Sequence, residues 1–345
     1  MSSLIKKYRQ MIQSVDKVNE TKSLIEEIRG LVKDEWMLMD QEIKDQLSSD
    51  IGLINSISSY IINSGGKRLR PLLLLLSSKA CGIDNNKEAI KAAAMIEFIH
   101  TATLLHDDVV DNSDTRRGSI TAHKNFGNEE TILVGDFLYS RAFQIMVEIG
   151  NMRIMEIMSE ATNRIAEGEV MQLINCGNPD TSEKQYMEVI YRKTAKLFES
   201  AAKIGAVLSG QSNRIENSLN DFGRELGTAY QLIDDVLDYN SSYEIMGKDI
   251  GDDLSEGKPT LPLIYALKRA NPDEQILIRN AISQKDRSNS NKVIEIIEST
   301  GSLALAATKA EETTKKAINA LNELPSNKYK EALIKLSEFS FKRTF

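Results

Sequence analysis

The strongest constraint on this chain is where proline is missing. Its 6 prolines stand at Pro71, Pro179, Pro259, Pro262, Pro272 and Pro325. Residues 72–178 and 180–258 are therefore free of the one residue that removes a helix hydrogen bond and clashes with the preceding turn. Within these stretches the spacing follows one helix face: Ile90, Ala94, Phe98 and Thr101, then Leu105 and Asp108, lie three or four residues apart between Glu88 and Asp111. Similar helical patterns run from Thr131 through Met171, from Tyr186 to Leu208 and from Leu219 to Tyr239. No alternating strand pattern competes, so the expected fold class is all-α.

Breaks fall at residues 64–66, 81–86, 112–128, 177–179 and 241–262. The last is long and polar, with Gly247, Gly251 and Gly257, and segments of that length often serve as lids or binding loops. Residues 1–45, rich in Lys, Glu, Asp and Gln, read as a solvent-exposed N-terminal helical extension. Residues 46–345 read as a single domain, since no linker divides them. With 41% hydrophobic residues, 345 residues can bury a large core.

The charge balance, 43 Lys+Arg against 50 Asp+Glu, lacks the positive excess that a nucleic-acid backbone demands, so no nucleic-acid partner is expected. Cys81 and Cys176 alone make neither a disulfide scaffold nor a zinc site. The N-terminus has no signal-peptide core, and the most apolar run, Leu72 to Leu76, is far too short to span a membrane. The expectation is a cytoplasmic protein.

Two acidic motifs carry the chemistry. LLHDDVVD, Leu104 to Asp111, and QLIDDVLD, Gln231 to Asp238, both contain DDxxD. On a helix Asp107 and Asp111 share a face, as do Asp234 and Asp238, with Asp108 and Asp235 beside them, so each motif presents a wall of carboxylate oxygens. One such motif alone is compatible with a solvated helix end. Two copies, each following apolar residues that draw the helix inward, would carry a desolvation cost of several kcal/mol per ion (about that order) if they had no cation to bind. All-oxygen donors suit a hard divalent ion such as Mg²⁺, whose coordination is often completed by substrate phosphates. Two facing walls could hold a diphosphate between them.

Anionic substrates also need cations. GGKRLRP, Gly65 to Pro71, clusters Lys67, Arg68 and Arg70 near glycines, although a basic turn before a helix would look the same. Arg116 and Arg117 follow Asp111 closely, and arginine forks match phosphate oxygens. Lys193 and Thr194, then Lys248 and Lys258, complete the set, and His100 lies two turns before Asp107 on the same face. No nucleophile motif, Walker loop or Rossmann glycine pattern is present.

These motifs, GGKRLRP, DDxxD followed by RRG, KTA, GDF, QLIDDVLD and GKPTLP, occur in that set between Gly65 and Pro262. The sequence thereby resembles the trans-type polyprenyl diphosphate synthases. EFIHTATLLHDDVVD, GDFLYSRAFQIM, AEGEVMQL and QLIDDVLDYN are most similar to the bacterial octaprenyl-forming branch. The resemblance implies an all-helical isoprenoid synthase bundle around a deep central cavity, as a homodimer. It implies Asp107, Asp111 and Asp234 as ligands of Mg²⁺, three ions with substrate bound, and Asp108, Asp235 and Asp238 in the same catalytic clusters. Arg116, Lys193, Thr194, Gln231, Lys248 and Lys258 would hold an allylic diphosphate; Lys67, Arg70, His100 and Arg117 would hold isopentenyl diphosphate. Short-chain members carry a bulky aromatic where this chain has Ala102 and Thr103, so a long product is expected, with Phe143 and Met146, beside Met152 and Met155, forming the floor. The product would be octaprenyl diphosphate for a quinone side chain, other chain lengths being the alternative. A terpene cyclase would need neither GGKRLRP nor the second DDxxD, and a non-catalytic partner subunit would have lost aspartates.

Overall fold

The computed structural model describes residues 23–63, 65–84, 86–116, 118–239, 251–285 and 287–342. Almost all of them are helical, as the proline distribution predicts. The helices used below are α1 (Lys33–Gln46), α2 (Gly52–Asn63), α3 (Leu69–Ala80), α4 (Lys87–Val110), α5 (Asn128–Ile149), α6 (Met152–Asn175), α7 (Glu183–Ile190), α8 (Lys196–Leu208) and α9 (Asn213–Asp238). They continue with α10 (Leu261–Arg269), α11 (Pro272–Gln284), α12 (Ser290–Ser299), α13 (Ser302–Ala320) and α14 (Lys328–Lys342). Among the described residues the extended pieces are Thr115–Arg116 and Ser119–Ile120, which pair antiparallel as a small hairpin.

α4 is the central rod. Asn86 caps it by accepting from the Glu88 and Ala89 amides. Ala92, Ala93, Ala94, Ile96, Phe98, Ile99 and Leu105 are buried around its circumference rather than along one stripe. A helix apolar on several sides is surrounded by others, and α4 packs on α1, α3, α5 and α8. The small alanines let these neighbours approach closely. α8 packs in turn on α9, and α9 on α13, which completes the bundle. A smaller apolar cluster, including Tyr239, Leu263, Ile278, Ile282, Val293 and Ile297, joins the end of α9 to α10, α11 and α12.

Three boundaries differ from the sequence reading. The helical pattern from Thr131 to Met171 is broken at Gly150, left-handed at φ 67, and at Asn151, which caps α6 by accepting from Arg153 and Ile154 amides. The pattern from Tyr186 to Leu208 is interrupted by a π turn, Tyr191–Ala195, between α7 and α8. The third difference concerns the N-terminal region. Ile25, Ile28, Val32, Trp36, Met39, Ile43 and Leu47 belong to the same buried cluster as α3 and α4, so residues 25–47 are not a solvent-exposed extension. Their apolar positions are spaced to form a stripe, and α4 offers the surface that covers it.

Candidate active site

The first acidic wall forms because the helical turn persists through its motif: the Asp111 amide donates to the Asp107 carbonyl at 2.8 Å. This brings the two carboxylates to one face at the end of α4. Two lysines neutralise them. Lys193 Nζ lies 3.3 Å from Asp107 Oδ2, and Lys258 Nζ lies 2.9 Å from Asp111 Oδ2. Asp108 turns inward, is 1% exposed, and accepts from Arg116 Nε at 2.7 Å. Burial raises its carboxyl above the ordinary aspartate range, against the pull of the guanidinium.

The second wall closes α9. Asp235 is buried, and its two oxygens accept from Tyr186 Oη at 2.5 Å and from Gln231 Nε2 at 2.8 Å. Thr194 Oγ1 donates to Gln231 Oε1 at 3.0 Å, so Thr194, Gln231, Asp235 and Tyr186 form one chain of hydrogen bonds. The Asp253 amide donates to Asp238 Oδ2 at 3.2 Å. Burial, with Asp253 nearby, pushes the Asp235 carboxyl up to about 8 and that of Asp238 up to about 9. Lys258 pairs with Asp111 of the first wall and with Glu256, and its charge opposes the burial that lifts Asp253, whose amide bonds Asp238, to about 6. The same surroundings of carboxylates raise Lys258 above the normal lysine value although burial pulls it down.

The π turn positions Lys193 and Thr194. Wider turns of this kind redirect side chains that an α-helix would place elsewhere and often mark functional sites. α6 crosses here at Gly168, where a Cβ would stand 2.7 Å from Lys193 N and 2.8 Å from Arg192 Cβ. Only glycine permits that approach.

The next residue, Glu169, was not among the sequence candidates. Its Oε2 lies 2.6 Å from Lys193 Nζ, placing the ammonium between Glu169 and Asp107. Burial, then Asp107, pushes its carboxyl up to about 7. A signal existed: Glu169 stands four residues after buried Ile165 and beside buried Gly168, a charged residue in the stripe of α6 that faces the bundle.

Two of the isopentenyl candidates meet two turns back along α4 from Asp107. Arg70 Nη1 and His100 Nε2 are 2.9 Å apart, and the Arg70 guanidinium stacks over Phe198 with 4.4 Å to the ring centre. Lys67 Nζ lies 5.3 Å from the Phe339 ring. A small hollow is lined by Gly65, Arg68, Glu97, His100, Thr101 and Arg116, among others. Arg116, expected in the allylic set, thus lines the same hollow as His100, because the hairpin carries it back over α4 to Asp108. Arg117 and Lys248 lie outside the described residues.

Of the expected chain-length residues, Ala102 and Met146 are buried in the main core, and Thr103 is half-buried, its Oγ1 donating to the His100 carbonyl at 2.8 Å. Phe143 departs from expectation. It is 40% exposed and lies against Tyr139 with the rings tilted and their centres 5.6 Å apart, since buried Ala142 and Met146 take the inner face of α5. Met152 is also on the surface.

Among the described residues no three His, Cys, Asp or Glu side chains converge as a ready-made metal site. Paired carboxylates on two walls, with buried carboxyls held above their usual range, fit a hard divalent cation whose remaining positions are filled by water and substrate oxygens. No helix among the described residues is long and apolar enough to cross a membrane.

Comparison with known proteins agrees with this geometry. Residues 52–300 match the polyprenyl synthetase family. Octaprenyl diphosphate synthase of Escherichia coli (strain K12) is 49% identical over 320 residues, covering 92% of this chain and 99% of that protein. An all-trans-nonaprenyl-diphosphate synthase (geranyl-diphosphate specific) of Rhodobacter capsulatus is 43% identical over 92% of this chain and 98% of its own length. A crystal structure of polyprenyl synthase from Caulobacter crescentus CB15, complexed with calcium and isoprenyl diphosphate, superposes with a TM-score of 0.88 at 40% identity, covering 93% of this chain and 98% of that one. With its aspartate walls, lysine links and all-helical bundle, this chain belongs to the polyprenyl synthetase family and is a prenyltransferase.

Proposed function

We propose that this prenyltransferase extends an allylic diphosphate, farnesyl diphosphate in the first instance, with successive isopentenyl diphosphates to octaprenyl diphosphate, destined for a quinone side chain. The observation that carries the reading is the first aspartate wall held by two lysines, Asp107 by Lys193 and Asp111 by Lys258, with Arg70 paired to His100 two turns further back along α4. One side supplies cations and metal-binding carboxylates for the diphosphate that leaves; the other supplies cations for the diphosphate that stays.

Mg²⁺, held by Asp107, Asp111 and Asp234 with three ions per site, would supply charge stabilisation to the departing diphosphate. Lys193 and Lys258 add fixed positive charge where negative charge develops. Thr194 and Gln231 orient the allylic diphosphate through the hydrogen-bond chain that Asp235 and Tyr186 anchor. The allylic C–O bond breaks with its electrons leaving on the diphosphate, the isopentenyl double bond attacks the resulting cation, and a proton passes to the released pyrophosphate. No side-chain nucleophile is required. Lys248, Arg116 and Arg117 belong to the same reading.

Three observations support the product length and assembly. Ala102, fully buried on α4, is small where short-chain members of the family carry a bulky aromatic ring. The Escherichia coli relative at 49% identity is an octaprenyl diphosphate synthase. Exposed Leu133, Phe143, Val147 and Met152 on α5 and α6 offer an apolar face for a second copy, as a homodimer requires. Unpaired Cys81 and Cys176 support work in the reducing cytoplasm.

Incubating the protein with farnesyl diphosphate, labelled isopentenyl diphosphate and Mg²⁺ tests the reading. An octaprenyl product supports it; a product that stops at geranylgeranyl length sinks the long-chain assignment, and no condensation at all sinks the enzyme assignment.

A further inference from the structure

The turn that leads from Lys67 into α3, whose first turn carries Arg70, is bent against the preference of its own residues. Arg68, between them, has a left-handed backbone at φ 46, and Gly65 precedes it at φ 77. A residue with a Cβ holds that conformation only when its surroundings impose it, and such residues collect at functional sites. Arg68 also occupies the N-cap of α3 without any side-chain cap bond, so the turn gains nothing from the usual capping chemistry.

The restraint comes from elsewhere in the chain. The Arg68 guanidinium, 17% exposed, pairs with Asp40 on α1, and its Nε lies 3.6 Å from Glu97 Oε1 on α4. Arg29, in the helical stretch 23–30, donates from Nη2 to the Lys67 carbonyl at 3.3 Å. Its guanidinium stacks over Trp36 at 4.2 Å. Trp36 is anchored with Met39 and Ile43 in the main core. One side of the loop is thus tied by its backbone carbonyl and the other by its side chain, both to helices N-terminal to it.

We propose that Asp40 and Arg29 are positioning residues for isopentenyl diphosphate: by holding Arg68 in its left-handed turn they aim Lys67 and Arg70 at one phosphate group. This rests on the reading of Lys67, Arg70 and His100 as the isopentenyl side of the site. Four of the allylic set are held by partners other than Asp40 and Arg29, Lys193 by Glu169 and Asp107, Lys258 by Asp111, Thr194 by Gln231, and Arg116, although it lines the same hollow as Arg68, by Asp108. A loosened loop therefore weakens one substrate and spares the other.

The test is steady-state kinetics on full-length variants, with both substrates varied and the melting temperature recorded. Asp40→Asn removes the charge but keeps the size; KM for isopentenyl diphosphate should rise about tenfold, as loss of one charge-assisted hydrogen bond predicts. KM for farnesyl diphosphate should stay within about twofold, and Asp40→Glu should restore most of the loss. Arg68→Gly supplies the left-handed turn at no steric cost but cuts the tether, so it should show the same selective rise. If Arg68→Gly matches the wild type, the turn suffices by itself and the proposal fails. An unchanged KM in Asp40→Asn, or an equal rise for both substrates, also overturns it. Should Asp40→Asn unfold, Arg68→Gly decides by the same split. A wild type that condenses nothing overturns the reading of the site and this inference with it; an active wild type with an indifferent Asp40→Asn overturns the inference alone.

Discussion

Gly168→Ala turns the crossing of α6 and the π turn into a measurement. In an open helix interior, alanine in place of glycine stabilises by about 1 kcal/mol. Here the new methyl would stand 2.7 Å from Lys193 N and 2.8 Å from Arg192 Cβ. The first of these is backbone and cannot swing aside, so α6 or the turn must move. Overpacking of this kind costs about 1–3 kcal/mol. Set against the propensity gain, the net is a loss of about 0–2 kcal/mol, or a fall in Tm of a few degrees (about 2–4 °C per kcal/mol). Activity should suffer more, because the moving element carries Lys193, whose Nζ lies 2.6 Å from Glu169 and 3.3 Å from Asp107. A displacement near 1 Å costs about a hundredfold in rate. Calorimetry and condensation kinetics read both effects. A variant more stable than the wild type, with kcat unchanged, would refute the close approach.

Two further outcomes follow from the same site. Ala102→Tyr puts an aromatic ring at a buried position of α4 and should shorten the product, as chromatography of the dephosphorylated alcohols would reveal; an unchanged chain length rules out Ala102 as the gate. The second concerns metal and pH. Burial and Asp253 raise Asp235 to about 8 and Asp238 to about 9, above the aspartate value of about 4 in an unfolded chain. The folded protein therefore binds more protons than the unfolded one between these values, and this contribution to stability is complete below about pH 4 and lost as pH rises through about 8 to 9. A divalent cation replaces the missing protons, so millimolar Mg²⁺ should raise Tm more at about pH 8.5 than at about pH 6; an increment independent of pH would contradict this.

Much of the site was legible because its geometry is local. Asp107 and Asp111 share a face for any helical chain, and so do Asp234 and Asp238; the Glu88 to Asp111 periodicity therefore found α4 and its carboxylates together. The break at Gly150-Asn151 was also written in the sequence, as a left-handed terminator followed by a cap, but a continuous apolar period hid it. Glu169 was missed because a lone glutamate on a helix looks like solvated surface until the neighbouring stripe is known to be buried.

The amino-acid order by itself determined the helical class, the two acidic walls and the cationic clusters, since proline spacing and three-to-four periodicity act within a few residues. Only the tertiary structure decided which charges meet: Lys258 with Asp111 across 147 positions, Lys193 between Asp107 and Glu169, Arg116 with Asp108. It also placed Phe143 outward and drew residues 25–47 into the core that supports the Lys67–Arg70 loop. The physical reason is range. A helix face depends on near neighbours, whereas the partner of a buried charge is chosen by how the helices pack, and that choice depends on the burial of many distant side chains at once.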